Sequence, residues 1–185
     1  VNRQTQDTWK TYFSARVRKG TILSTEQNGE PTPDFDCSQT FSPDFRSIQT
    51  FTKSTDVQPS TLSAFYDVNG RILKTIDTSD TYKSTTEYHY NEHGELSDLS
   101  NTAVETDNQV EALEKHIWFY NGGKAVRMLK IKGGTDTTTV DFKLEEKGKV
   151  IEERPVHVKT AWPVVDYYYD QNGRLTDIVR YNQKA

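Results

Sequence analysis

Short runs of alternating apolar and polar residues, each ending at a glycine-containing turn, follow one another along most of the chain. Runs such as Lys115 to Tyr120, Lys124 to Lys132 and Thr137 to Leu144 are rich in Thr, Val, Tyr, Phe and Ile, which strands favour. Each run is expected to pair with the next one in sequence. The pattern predicts an all-β protein, an antiparallel up-and-down meander of about a dozen strands in tandem hairpins. Because its apolar faces must be covered, the sheet is expected to close as a barrel or to curve strongly.

The predicted hairpins form a tandem repeat. Tyr66-Asp-Val-Asn-Gly-Arg-Ile72 returns as Tyr90-Asn-Glu-His-Gly-Glu-Leu96, Leu144-Glu-Glu-Lys-Gly-Lys-Val150 and Tyr169-Asp-Gln-Asn-Gly-Arg-Leu175, with a shortened copy in Tyr120-Asn-Gly-Gly-Lys-Ala125. The turn glycines are Gly70, Gly94, Gly123, Gly148 and Gly173, at intervals of 24, 29, 25 and 25 residues. We assign the longest interval to an insertion around Asn101 to Glu114. Within it, the spacing of Val104, Val110 and Leu113 is loosely helical, so Val104 to Glu114 is expected to be either a short helix or a mobile loop. A period of this size indicates one supersecondary unit used repeatedly.

Each residue type of the repeat has a place in a hairpin tip. Asp67 and Asp170 can open a turn, because a short acidic side chain bonds the backbone two residues on. Glycine follows where the chain needs a positive φ, as in a type I turn closed by a bulge. The outer apolar residues, such as Tyr169 and Leu175, are expected to face each other across the ribbon. The charged residue after the glycine is expected to point to water.

The N-terminal third is predicted to add further strands. Alternation over Thr11 to Arg18 predicts a strand, which turns at Lys19 into a second strand over Thr21 to Thr25. A proline-containing loop is expected from Gln27 to Pro43, ahead of a strand over Phe45 to Lys53. We expect one β domain over residues 1–185, with N-terminal strands and a loop in 1–60 and the five hairpins in 61–182.

Composition narrows the function classes. Aromatic residues make up 11% of the 185 residues, which argues against disorder. The formal charge of -4 comes from interspersed acids and bases, so the basic patch that nucleic-acid binding requires is missing. No apolar run approaches the roughly twenty residues of a spanning helix, and the protein is not expected to span a membrane. The single cysteine, Cys37, lies in the predicted polar loop and excludes an internal disulfide or a multi-cysteine metal site.

Candidate chemical sites are sparse. His89 and His93 are four residues apart, a zinc-binding spacing on a helix, but one lies in a predicted strand and the other at a hairpin tip. Cys37 has no histidine signature beside it, and no Gly-x-Ser-x-Gly elbow, P-loop or dinucleotide fingerprint occurs. We therefore expect no enzyme activity, no cofactor and no metal site.

Two groups of neighbouring aromatic residues form the remaining candidate site. The first group is Trp118, Phe119 and Tyr120 in one predicted strand. The second group is Tyr167, Tyr168 and Tyr169 in the last hairpin, with Trp162 just before it. Residues adjacent in a strand project to opposite faces of the sheet. Either other parts of the chain cover both faces, the interpretation we favour, or one face is an aromatic platform for sugars or an apolar ligand. All of these residues except Phe119 are candidate ligand-binding residues.

The repeat resembles a known pattern. Phe65-Tyr-Asp-Val-Asn-Gly-Arg-Ile72 and Tyr167-Tyr-Tyr-Asp-Gln-Asn-Gly-Arg-Leu-Thr-Asp-Ile178 are similar to the Tyr-Asp-x-x-Gly-Arg-Leu unit of the YD repeats in RHS-type proteins. The resemblance covers Thr61 to Tyr181, with two close and three degraded copies. Similar repeats occur in small bacterial envelope proteins, some with a porin-like meander fold. The resemblance therefore implies a bacterial, exported and envelope-associated protein.

Together these features lead to an expectation for function. We expect a non-catalytic, exported structural or binding module of the bacterial cell envelope, periplasmic or extracellular and associated with the outer membrane. Its partner is expected to be an envelope protein or a glycan. The start at Val1 fits a chain trimmed of an export signal or an N-terminal lipid anchor. The alternative is a β-barrel that binds a small molecule, a glycan or a lipid on an aromatic-lined surface or pocket.

Overall fold

The structure of the protein is a computed structural model that describes residues 9–55, 57–107 and 111–181. Residues 9–14 are helical, and fourteen strands follow within these ranges. The strands are β1 (Lys19–Ile22), β2 (Asp36–Phe41), β3 (Ser47–Ser54), β4 (Val57–Tyr66), β5 (Ile72–Thr78), β6 (Tyr82–Tyr90), β7 (Leu96–Glu105), β8 (Glu111–Asn121), β9 (Lys124–Lys132), β10 (Asp136–Leu144), β11 (Val150–His157), β12 (Thr160–Ala161), β13 (Val165–Tyr169) and β14 (Leu175–Arg180).

The strands form one antiparallel sheet in sequence order. Pairing runs from β1 to β11 and continues through β13 to β14, while the short β12 pairs with β11. The predicted all-β meander is therefore confirmed. β1 and β14 stand at the two ends of this order, so hydrogen bonds do not close the sheet over the residues described. Closure into a barrel is not confirmed.

The hairpin tips have the geometry that the repeat predicts. All five turn glycines have φ between 74° and 86°. Tyr66 pairs with Ile72 and Tyr169 pairs with Leu175, and in both hairpins the register shifts immediately before the tyrosine. Such a shift is the bulge that closes a type I turn in a hairpin. The turn prediction from the glycine spacing is confirmed in this respect.

The chain divides into two compact units. The first comprises Val1–Tyr88 with Asn101–Ala112, and the second comprises His89–Ser100 with Leu113–Ala185. A core cluster lies in the first unit, and its members are Trp9, Phe41, Phe45, Ile48, Ala64, Tyr66 and Ile72. In the described part of the second unit, the buried side chains are Thr138 and Val140. The prediction of a single domain stays a prediction.

Three predictions for the N-terminal third are wrong. Residues 9–14 are helical instead of extended, because the ring of Trp9 stacks on Phe13 at 4.9 Å and its Nε1 donates to the Phe45 carbonyl at 2.7 Å. The expected hairpin around Lys19 is replaced by pairing of β1 with β2, a strand inside the predicted loop. Cys37 is consequently buried in β2, with its Sγ 3.7 Å from Thr52 Oγ1, and does not lie in a polar loop.

The predicted insertion is mainly strand. Residues 101–105 continue β7 and residues 111–114 belong to β8, so these residues lengthen the two strands of one hairpin and are not helical. Residues 108–110, which include Val110 of the helical spacing, lie outside the described residues. The expected strand over Phe45 to Lys53 is confirmed as β3, which begins two residues later.

Candidate functional site

The charged residue after the turn glycine closes the turn in the two best copies of the repeat. Asp67 Oδ1 accepts bonds from the amides of Asn69 and Arg71 at 2.8 Å, and Asp67 Oδ2 accepts from Arg71 Nε at 2.7 Å. Asp170 accepts from the amide and the Nε of Arg174 in the same way, at 2.8 and 3.0 Å. As predicted, Arg174 points to water, with 75% of its side chain exposed, whereas the side chain of Arg71 is 36% exposed. Both arginines also contribute to the turn. They fold back onto the acid that opens the turn.

We call this side-chain bond between the first and fifth residues of the turn the clamp. The second copy of the repeat also forms a clamp, but there the first residue donates and the fifth accepts. Asn91 Oδ1 accepts from the amides of His93 and Glu95, and Asn91 Nδ2 donates to Glu95 Oε2 at 2.8 Å. Where the acid is replaced by an amide, the partner four residues on is a carboxylate instead of a guanidinium. Complementary residues at the first and fifth turn positions are a sequence signal for this clamp that was overlooked.

Side chains also connect successive hairpin tips of the second unit. Lys124 follows Gly123 and lies against the next turn glycine, since a Cβ on Gly148 would be 2.6 Å from Lys124 Cε. Lys149 follows Gly148 and lies against Gly173 in the same manner. The turn glycine therefore has two roles, because it supplies the positive φ and leaves room for the preceding hairpin's lysine.

The tyrosine of the repeat bonds the preceding hairpin. Tyr120 Oη donates to the Leu96 carbonyl at 2.9 Å, and Tyr169 Oη donates to the Val150 carbonyl at 2.8 Å. Both carbonyls belong to the second residue after a turn glycine. Burial raises the pKa of both hydroxyls, so they remain proton donors at neutral pH. Lys149 Nζ also lies 4.9 Å from the centre of the Tyr169 ring. These tyrosines therefore hold hairpins together.

Strand register defines two faces of the sheet in the second unit. Trp118, Met128, Val140 and Pro155 pair in a row across β8 to β11, and directly paired residues share a face. We call the face that carries this row the front face. Phe119 and Tyr168 lie on the opposite face, the back face.

The six candidate aromatic residues do not form one site. Trp118 and Tyr167 lie on the front face and Tyr168 lies on the back face. Burial, with a bond from its Oη to Glu153 Oε1 at 2.8 Å, raises the pKa of Tyr167 to about 12. Trp162 follows β12 and is 44% exposed. With the hydroxyls of Tyr120 and Tyr169 bonded within the sheet, the most accessible rings among the candidates are Tyr168 and Trp162.

The two histidines that sequence spacing singled out have separate surroundings. His89 Nδ1 lies 3.0 Å from Asp98 Oδ1, whereas the His93 amide takes part in the turn at Asn91. Lys115 Nζ is 3.5 Å from the same Asp98 oxygen. Among residues 9–55, 57–107 and 111–181, no group of three or more His, Cys, Asp or Glu side chains is placed to hold a metal ion.

No helix in the described ranges is both long enough and apolar enough to cross a membrane. No protein-family model matches the chain, and a search of curated proteins found no matching sequence.

Proposed function

We propose that this chain is a non-catalytic structural or binding module of the bacterial cell envelope, and that it is exported and engages a macromolecular partner. The polar residues of the repeat support this proposal, because Asp67, Arg71, Asp170 and Arg174 are used within the turns. A repeat whose polar groups bond one another serves to build a sheet. A partner would then contact other exposed side chains.

One observation carries the proposal, an exposed patch on the back face of the last hairpin. Tyr168, Val179 and Tyr181 are 49%, 37% and 50% exposed, and we call them the tyrosine patch. Val179 pairs with Asp166, and Tyr181 Oη donates to Asp166 Oδ2 at 3.1 Å, which fixes the ring at the surface. Contiguous exposed apolar groups mark interaction sites, and tyrosine is enriched among residues that dominate binding energy.

Site-specific photo-crosslinking in bacterial cells tests this proposal. A benzophenone amino acid replaces Tyr168 or Tyr181, and in a control it replaces Lys147, an exposed residue at a different hairpin tip. We expect the two patch positions to give the same discrete adduct in the envelope fraction, and the control position to give none. Adducts of equal yield at all three positions, or a protein confined to the cytosolic fraction, would contradict the proposal.

A second candidate function, binding of a small molecule, glycan or lipid, is favoured by a different observation. The exposed ring of Trp162 lies beside the ring of His157, with 5.1 Å between the ring centres. An indole with an accessible face next to a polar side chain is suited to a ligand with both apolar and hydrogen-bonding surfaces.

A further inference from the structure

A row of polar side chains crosses the front face beside the row that contains Trp118. His116, Lys130, Thr138 and His157 pair in register across β8, β9, β10 and β11, and we call them the polar row. Neighbouring strands lie roughly 4.8 Å apart, so four paired residues extend over about 14 Å on one face. The four residues are dispersed in sequence, and strand register alone brings them together.

The first end of the polar row carries no excess positive charge. Glu114 Oε1 lies 2.8 Å from His116 Nε2 and 3.1 Å from Lys130 Nζ. The lysine is therefore neutralised by a neighbouring carboxylate. The His116 ring also meets Trp118 edge to face, with 5.6 Å between the ring centres. This end presents hydrogen-bonding groups beside an indole.

The second end of the polar row has a similar composition. His157 Nδ1 lies 3.2 Å from Thr138 Oγ1 and 3.3 Å from Asp136 Oδ1, so the ring is held in place by two oxygen atoms. Trp162 packs beside His157, and its amide donates to the Pro155 carbonyl at 2.8 Å. A backbone bond thus holds an exposed indole next to the row.

We propose that the polar row, together with Trp162, binds a neutral saccharide. Sugar hydroxyls both donate and accept, which suits the imidazole and ammonium groups of the row and the carboxylates of Glu114 and Asp136 beside it. Thr138 itself is buried and holds the His157 ring in place. Sugar rings present apolar faces that stack on indoles. A phosphate ligand would require uncompensated positive charge, but the carboxylate of Glu114 compensates the charge of Lys130. A lipid chain would require an apolar surface in place of the row. The inference deepens the second candidate function and does not depend on the tyrosine patch.

Isothermal titration calorimetry with cellohexaose and chitohexaose tests the inference. We expect saturable binding of at least one hexasaccharide by the whole chain. Removal of the indole in Trp162→Ala should weaken binding about tenfold, while Trp162→Phe, which retains a stacking ring, should lose less. Lys130→Met, which removes a partly exposed ammonium group from the row, should also weaken binding. Thermal unfolding of each variant separates loss of binding from loss of fold.

Tyr168→Ala is the matched control, because it removes an exposed ring from the opposite face. It should leave saccharide binding unchanged, while Trp162→Ala should leave the crosslink from position 181 unchanged. The two proposals can therefore fail separately. Absence of saturable heat at millimolar concentrations of both sugars would overturn the inference, as would equal affinity in Trp162→Ala and the wild type. Tighter binding of inorganic phosphate than of either sugar would overturn the neutral class of ligand.

Discussion

Two hairpin tips of this protein have nearly the same sequence and the same local geometry. Asp67-Val-Asn-Gly-Arg71 and Asp170-Gln-Asn-Gly-Arg174 differ at one of five positions. Their glycines have φ of 76° and 74°, and each arginine bonds the acid that opens its turn. Because these features are shared, the shape of the tip is encoded locally by its own residues.

The surroundings of the two tips differ much more than their shapes. Ile72, after the first tip, is 4% exposed in the core, whereas Leu175, after the last tip, is 49% exposed. The ring of Trp9 covers Gly70, and the flexible end of Lys149 covers Gly173. The residues of the repeat therefore determine the turn conformation at each tip. Tertiary contacts determine how much that tip contributes to stability.

Truncation of the apolar residue after each tip should show the largest difference. We expect Ile72→Ala to lower the free energy of unfolding by roughly 3–4 kcal/mol, because it opens a cavity in the core. Leu175→Ala should cost less than about 1 kcal/mol, since half of that side chain is already in water. Urea unfolding followed by circular dichroism measures both. Equal losses would show that the last hairpin is as well packed as the first.

Alanine at the turn glycines should give the next largest difference. Both variants place a side chain at positive φ, at a cost of roughly 1–2 kcal/mol. Gly70→Ala adds a collision with the Trp9 ring, which cannot leave without disturbing the core, so we expect a total of about 2–3 kcal/mol. In Gly173→Ala the Lys149 chain can swing away. Thermal unfolding would contradict this argument if Gly173→Ala were the more harmful change.

The regular part of the fold could be predicted from sequence because its signals are local. The strand over Lys124–Lys132 was predicted to the residue, since the turns on both sides contain glycine. The helix at residues 9–14 was missed because Phe13, Ala15 and Val17 alternate as in a strand, while the contact that fixes the helix joins Trp9 to Phe45, 36 residues away. Pairing at that distance leaves no pattern in one sequence.

The candidate site was predictable in part, for the same reason. The sequence identified the aromatic residues, but their roles depend on which groups they bond. Some of these groups are backbone carbonyls, which every residue has. Tyr120 bonds the backbone carbonyl of Leu96, and any residue could supply that group. His116 and His157 were not predicted, because they are far apart in sequence. Only the strand register brings them into one row, with Lys130 and Thr138 between them.

The clamp between Asp67 and Arg71 should give the stability of the first tip a dependence on acid pH. Partial burial raises the pKa of Asp67, but bonds from Arg71 and the Asn69 amide outweigh it and hold the pKa below its usual range. A depressed folded pKa adds stability that is complete above the unfolded pKa, near 3.9, and is lost as the pH falls through the folded value. We expect Asp67→Asn to cost about 1 kcal/mol at neutral pH and nothing at pH values below the folded pKa. Urea unfolding across this range measures the difference.

A second substitution sharpens this test. Asp67→Asn with Arg71→Glu copies the pair that Asn91 and Glu95 form in the next copy of the repeat. We expect the double variant to recover most of the stability that Asp67→Asn loses at neutral pH. If stability is not recovered, then the surroundings of the first tip, and not its own five residues, favour Asp over Asn at position 67.

The smallest expected effect concerns the tyrosine hydroxyls that join successive hairpins. Tyr169→Phe and Tyr120→Phe each remove one bond to a backbone carbonyl and leave the ring in place. We expect each to lower the free energy of unfolding by about 0.5–1.5 kcal/mol, and the two losses to add, because the bonds share no atoms. Calorimetric melting of the single and double variants measures both quantities. Unchanged stability in Tyr169→Phe would mean that water replaces the lost donor at the Val150 carbonyl, and that the hydroxyl of the repeat contributes nothing to the contact between hairpins.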